Sequence, residues 1–182
     1  MKDRLMWWVN ELRKKGNYGY ALGSYVNRDS WMKKLVDIFS DNYIENNTDL
    51  NYSTCFDMSV YISPVHSEVT SDEFQSYLSE HNVIYSIRIE ISIIAPYAVL
   101  RFEKRYKDPL PSNTLEDSFY PYFEEHAKFD ERIRGFLSEE QLTILDNELI
   151  SIEVPDIQLE LRKSHVQIYH CLFQDEFYNG IQ

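Results

Sequence analysis

Charged residues alternate with apolar residues on two neighbouring segments, and this spacing makes them the first candidates for chemistry. Arg88 and Glu90 lie between isoleucines, and further along the chain Arg101 lies between Leu100 and Phe102 and Glu103 follows Phe102. Because the side chains of a strand point alternately to its two faces, all four would share one face. A fixed lattice of both charges can bind a small charged ligand, although such lattices are more often solvated surfaces. The candidate ligand face comprises Asp57, Tyr61, Arg88, Glu90, Arg101 and Glu103.

The five histidines follow no spacing that is typical of a metal site. None belongs to an HExxH motif or a zinc-finger pattern. His165 and His170 are five residues apart and would point to opposite faces of a strand. Glu124, Glu125 and His126 are consecutive, so they would fan around a helix rather than converge on one ion. The sequence predicts no metal site and no cofactor, and leaves open a metal site assembled from distant residues.

The chain carries no recognisable catalytic motif. There is no GxSxG elbow, no SxxK and no signature of a nucleophilic cysteine. Cys55 and Cys171 are interpreted as small packed residues, and two thiols without a disulfide framework are typical of a cytosolic protein. The glycines in residues 16–25 match neither phosphate-binding pattern. The expectation is a protein that is not an enzyme, with no catalytic residue assigned.

The net charge is negative and unevenly distributed. The formal net charge is −12, with 18 basic and 30 acidic residues. Residues 1–36 carry +5 (eight basic, three acidic), whereas residues 37–182 carry −17 (ten basic, twenty-seven acidic). Residues 108–160 alone carry −11 (three basic, fourteen acidic). A field of this sign repels nucleic acid and anionic lipid and attracts basic partners, although it also simply keeps a protein soluble.

A hairpin is the element that the sequence defines best. Residues 85–93 and 98–105 alternate in phase, with the turn at Ala95-Pro96. If Ile91 faces Leu100, then Glu90 faces Arg101, and apolar pairing and charge pairing select the same register. Pro96 is unfavourable in a two-residue turn, so the loop itself is left open.

The remaining patterns predict an α+β fold with a mainly antiparallel sheet of about five to six strands and helices packed on one face. We expect one domain over 1–182, with a helical part at about 1–47 and the sheet and acidic helices at about 52–182. Residues 16–25 and 107–112 are predicted as a loop and a turn. Helices are predicted near 2–15, 30–46, 70–81, 115–135 and 138–148, and further strands near 54–62, 150–154, 157–161 and 166–172.

These features favour an acidic intracellular interaction protein that binds and blocks a basic partner. Small size, negative charge and many aromatic residues without catalytic motifs are similar to the profile of bacterial immunity proteins that block a toxin. This similarity is one of composition only. Tyrosines would supply contact area, and carboxylates would accelerate association. The predicted contact surface comprises Glu116, Asp117, Tyr120, Tyr122, Glu124, Glu125, Glu131, Glu139 and Glu140.

Two other classes of function are compatible with the sequence. One is a DNA mimic or anti-defence accessory protein, whose carboxylates would imitate the phosphates of a duplex. The other is a small-molecule-binding domain or enzyme that uses the polar face of the sheet. The apolar runs are too short to cross a bilayer and no export signal is visible, so no membrane contact and a cytoplasmic location are expected.

Overall fold

A six-stranded sheet forms the centre of the protein. The computed structural model of the chain describes residues 1–26, 28–51, 53–107 and 115–175. The first five strands pair in sequence order and are antiparallel, and the sixth pairs in parallel with the fourth. The strands are β1 (Ile44–Asn46), β2 (Cys55–Tyr61), β3 (Val83–Ser92), β4 (Tyr97–Tyr106), β5 (Leu115–Ser118) and β6 (Thr143–Leu145).

Helices connect and cover these strands. The α+β class and the mainly antiparallel sheet are therefore confirmed. A π-helical turn, Asn10–Lys14, continues the first helix directly. The helices are α1 (Lys2–Val9), α2 (Gly19–Val26), α3 (Arg28–Ile38), α4 (Asp72–His81), α5 (Glu124–Glu139), α6 (Asn147–Ile150) and α7 (Ile168–Leu172).

The β3–β4 hairpin is present, but its register differs from the predicted one by two residues. Ile91 lies opposite Ala98 rather than Leu100, and Arg88 lies opposite Arg101. The cause is a four-residue loop at residues 93–96, which is longer than the two-residue turn that the charge pairing assumed. A shift of two preserves the face of every side chain, so the predicted alternation is correct although the predicted pairs are not.

The apolar face of the sheet packs against α3 and α5. Ile89 and Leu100 are buried there with residues of the neighbouring strands. Leu35 and Phe39 of α3 reach this face from one side, and Ile133 of α5 reaches it from the other. These long apolar side chains are each worth roughly 1.5–3 kcal/mol when fully buried. This cluster is the core that the alternation in β2, β3 and β4 predicted.

The polar face is also covered, whereas the alternation predicted helices on one face only. At one end of the sheet, Leu5 and Val9 of α1 belong to the same buried cluster as Tyr97 and Val99. At the other end, Phe74 of α4 packs with Tyr61 and Ile84. Strand positions that read as solvent-exposed in sequence are thus beneath other parts of the chain.

Two predictions in the first third of the chain need correction. Residues 16–25 were expected to form a loop, but Gly19–Val26 is helical. The helix expected over 30–46 ends at Ile38, and Ile44–Asn46 pairs with β2 as an edge strand. At residues 44–46, pairing with β2 overrides the local helical pattern.

The acidic segment differs from the prediction as well. A helix was expected from residue 115, but Leu115–Ser118 is an edge strand on β4. The helix begins only at Glu124, beyond Pro121, and runs through Ser138, which was expected to cap a second helix. The predicted turn at 107–112 lies outside the described residues except for Lys107.

The predicted C-terminal meander is wrong. Ile152 to Val166 contains no strand, and an isolated bridge joins Glu153 to Gln167. Residues 168–172 form α7, whose even and odd positions are all buried. The alternation in this segment had no structural meaning, because a short helix that is enclosed on every side needs apolar residues at all positions.

Two histidines are buried, and neither ring forms an ion pair with the described residues. His126 is 0% exposed and accepts a hydrogen bond at Nδ1 from the backbone N–H of Tyr122, at 3.3 Å. His170 accepts one at Nδ1 from the backbone N–H of Gln167, at 3.0 Å. Burial lowers the pKa of each imidazole from 6.5 to about 4. Both rings are therefore neutral in the folded protein at neutral pH.

We predict that stability falls as the pH is lowered from about 6.5 to about 4. The unfolded chain takes up protons on both histidines in this window and the folded chain does not. The free energy of unfolding therefore falls by roughly 3 kcal/mol for each histidine. His126→Asn keeps an acceptor for the Tyr122 N–H and removes one titrating ring. Urea unfolding at several pH values should give a smaller slope for His126→Asn than for the natural sequence.

The matched control is His66→Asn, because this histidine is exposed and forms no ion pair with the described residues. It should leave the pH dependence of the unfolding free energy unchanged. Equal slopes for His126→Asn and the natural sequence would refute the assignment of this dependence to His126.

Candidate functional site

The centre of the polar face is a buried ionic lattice, and Glu90 is its innermost member. Glu90 is 0% exposed. Its Oε2 accepts a hydrogen bond from Arg101 Nη2 at 2.5 Å, and its Oε1 accepts one from the Tyr169 hydroxyl at 2.7 Å. Burial alone would raise the pKa of Glu90, but the charges of Arg101 and Arg88 outweigh it and the pKa is lowered. Glu90 is therefore an ionised carboxylate held in the interior.

Arg88 links this lattice to β2. Its Nε donates to Asp57 Oδ1 at 2.8 Å, and its Nη2 donates to the other carboxylate oxygen. The same Nη2 lies 3.8 Å from Glu90 Oε1. A bidentate arginine–carboxylate pair fixes both side chains, because two parallel hydrogen bonds define one geometry. Arg88 and Arg101 lie opposite each other on β3 and β4. Their like charges are tolerated because the Glu90 carboxylate contacts both of them.

Glu103 has a different environment from Glu90. It is 6% exposed and accepts a hydrogen bond from the Ser86 hydroxyl at 3.0 Å. Burial raises the pKa of Glu103, and the charge of Arg88, the hydrogen bond from Ser86 and the charge of Arg101 offset this only in part. Two carboxyls on one sheet face thus have pKa values that are shifted in opposite directions.

A groove opens on the same face beside Glu103, with a volume of about 280 Å³. We call it the polar groove. Within the predicted ligand face, Asp57, Arg88 and Glu103 line it, whereas Glu90 and Arg101 are enclosed beneath Tyr169. The side chains that line the groove are Glu45, Asn47, Asp57, Ser59, Val69, Arg88, Glu103, Arg105 and Leu115.

The last predicted ligand residue, Tyr61, is buried against α4, and its hydroxyl donates to Glu45 Oε2 at 2.9 Å. Glu45 was missed because residues 30–46 read as one helix. Arg105 was missed as a ligand residue although it continues the alternation of Arg101 and Glu103, and that signal could have found it.

The predicted acidic surface is partly neutralised by nearby cations. Four of its nine residues have a basic partner within 4 Å. Glu125, Glu131 and Glu139 are exposed on α5 and form no ion pair within the described residues. The neutralised pairs are Glu116–Lys104, Asp117–Arg101, Glu124–Lys128 and Glu140–Lys34, at 3.6, 3.4, 3.1 and 2.6 Å.

The two tyrosines of this surface differ in exposure. Tyr120 is 78% exposed. Tyr122 is half-buried, with Lys104 Nζ 4.3 Å from the centre of its ring, and it contacts the His126 ring. Tyr122 therefore belongs to the packing between β4 and α5, and Tyr120 is the tyrosine that is available for contact.

Tyr120 borders a cleft of about 510 Å³ beside α5, which we call the acidic cleft. Asp146 and Glu148 are exposed on its rim, and Asp130 is paired with Arg134 at 2.8 Å. The prediction missed this cleft because 138–148 read as one helix, whereas β6 and α6 bend the chain there. The lining residues are Leu100, Phe119, Tyr120, Pro121, Asp130, Arg134, Ile144, Leu145, Asp146, Asn147 and Glu148.

The cysteines and histidines form no reactive site in the part of the chain that the structure describes. Cys55 and Cys171 are free and buried. Burial raises the pKa of Cys171 to about 11, so its thiol is protonated at neutral pH. No group of three or more His, Cys, Asp or Glu side chains among these residues is arranged to hold a metal ion. None of the described helices is long and apolar enough to span a bilayer.

Comparison with protein-family models, curated proteins and solved structures found no match for this chain.

We predict that Arg101→Met lowers the free energy of unfolding by about 3–5 kcal/mol, because it leaves Glu90 buried without its closest cation. Adding Glu90→Gln should restore part of this loss, since the remaining buried group is then uncharged. Chemical denaturation of the single and double variants measures both effects.

The control is Lys128→Ala, which breaks an exposed pair whose side chains are 67% and 86% accessible. Its cost should be below about 1 kcal/mol. If Arg101→Met were no more costly than Lys128→Ala, the buried lattice would not be a principal source of stability.

Proposed function

We propose that this protein binds a basic protein partner through the acidic cleft and blocks that partner's cationic surface. The observation that carries the proposal is the placement of an exposed tyrosine, Tyr120, beside the exposed carboxylates of Asp146 and Glu148, which form no ion pair with the described residues. An aromatic side chain at a concave acidic site fits a lysine or arginine side chain through stacking and charge.

The local charge supports a cationic occupant. Three carboxylates line the cleft, and one of them, Asp130, is neutralised by Arg134. Glu131 follows Asp130 on α5 and is exposed without an ion pair among the described residues. The net charge of −17 over residues 37–182 adds a long-range field of the same sign. Such a field accelerates the approach of a basic protein and weakens as salt is added.

The helical geometry of α5 places the acidic residues of the predicted contact surface on different sides of the helix. At about 100° per residue, Glu131 lies nearer the cleft, whereas Glu125 and Glu139 point towards the side where Arg132 contacts Phe39. Tyr120 and Glu131 are thus the predicted contact residues that support the cleft as the binding centre. The paired carboxylates contribute less, because their cations already satisfy them.

An immunity-type role, in which the partner is a toxin with a cationic active site, is the biological setting that we propose. The small acidic chain would occupy that site and exclude its negatively charged substrate. Its action would need no chemistry of its own, which agrees with the buried, protonated Cys171 thiol.

The test compares two double variants as bait for proteins from the source cells. Asp146→Asn with Glu148→Gln removes the charge of the cleft rim, and asparagine keeps the helix cap that Asp146 provides to the N–H of Leu149. Glu73→Gln with Glu80→Gln removes two exposed charges on α4, away from the cleft. Quantitative mass spectrometry should show a basic protein that the first variant loses and the second retains.

The purified pair should then associate more slowly as salt is raised. The cleft variant should lower the association rate about 3- to 10-fold at low salt. Equal capture by both variants, or an association rate that does not depend on salt, would contradict the proposal.

A further inference from the structure

The polar groove is the open part of an otherwise enclosed ionic lattice. Glu90 and Arg101 have no route to a ligand, because Tyr169 and the neighbouring strands cover them. Arg88, Glu103 and Arg105 reach the groove from the sheet, and Val69 and Leu115 add an apolar wall. The groove therefore combines fixed charges with an apolar surface, which is the usual composition of a small-molecule site.

Arg105 supplies a cation that forms no ion pair with the described residues. It is half-buried on β4 and lies opposite Leu115 of β5. Across residues 1–26, 28–51, 53–107 and 115–175, no carboxylate lies within ion-pair distance of its guanidinium. A partly desolvated arginine without a counter-charge favours an anion from solution.

Arg88 supplies a second donor to the same groove. Its Nε and Nη2 are occupied by Asp57, which fixes the guanidinium plane. Its Nη1 makes no hydrogen bond to the described residues, and Arg88 lines the groove. An arginine that a carboxylate holds in place loses little entropy on binding a ligand, so its remaining donor is preorganised.

The carboxyls of the groove already have internal hydrogen-bond donors. Asp57 accepts both bonds from Arg88, Glu45 accepts one from Tyr61, and Glu103 accepts one from Ser86. Burial raises the pKa of Glu103, which favours its uncharged form and reduces the repulsion of an anion. Among the charged groups of the groove, Arg88 and Arg105 are those with donor nitrogens that no described residue accepts from.

We propose that the polar groove binds a small anionic ligand, with a carboxylate or phosphate group held between Arg88 and Arg105 and its apolar part against Val69 and Leu115. A volume of about 280 Å³ suits a molecule of roughly metabolite size. The site is independent of the acidic cleft, since Arg88 and Arg105 lie on the face of the sheet opposite Leu100 and α5.

The experiment titrates the isotope-labelled protein with inorganic phosphate and, separately, with succinate, and follows the amide signals by NMR. Saturable shifts should centre on residues of the groove, and the stronger of the two probes identifies the anionic group. Arg105→Met keeps side-chain length and removes the charge, and it should weaken binding by about 10-fold or more. Arg4→Met, an exposed change on α1, should leave the affinity unchanged.

Glu103→Gln tests whether the two arginines hold the anion without help from the Glu103 carboxyl. The amide keeps the volume and provides a neutral donor, so anion binding should persist or tighten. Because both probes are anions, loss of their binding in Glu103→Gln would show that Arg88 and Arg105 do not hold the anion without the Glu103 carboxyl, and it would overturn the proposal. The absence of saturable shifts in the natural protein with either probe would also overturn it, whether or not Arg105→Met folds.

Discussion

Full burial of the Glu90 carboxylate is the constraint on which the centre of this structure depends. A carboxylate removed from water is tolerated only with close cations and hydrogen-bond donors. Arg101, Arg88 and Tyr169 meet this requirement from β4, β3 and α7. The carboxylate therefore joins two central strands to a helix from the end of the chain, and it fixes where that helix can lie.

The same requirement explains why one sheet face has three zones. Its two ends carry apolar side chains, such as Val99 and Ile84, and these are covered by α1 with the C-terminal segment and by α4. The middle of this face carries the charged side chains. These side chains pair with one another, and an apolar covering layer cannot take the place of that pairing. Where the covering layers stop short, the charged middle reaches solvent as the polar groove. The groove that we propose as a ligand site and the ionic lattice that joins β3, β4 and α7 are thus built from one set of side chains.

The sequence predicted the sheet well because strand alternation is a local property. Ile89 and Leu100 are on the apolar face as expected, and a register error of two residues did not move them. The charged positions were misread, because alternation reports polarity and not exposure. Glu90 reads like any surface glutamate until Arg101 and Tyr169 are placed beside it. The same limit hid the acidic cleft, since Tyr120 and Glu148 are brought together only by the bend after α5.

The arrangement of short strands around β4 has a consequence for association. β4 has ten residues, but its outer edge is divided between β6, which pairs with residues 97–99, and β5, which pairs with residues 102–105. The opposite border of the sheet is the three-residue β1. Among the described residues, neither border offers a long run of unpaired backbone groups to another copy of the chain. This frame therefore resists edge-to-edge aggregation, even though its two longest strands are rich in isoleucine and phenylalanine.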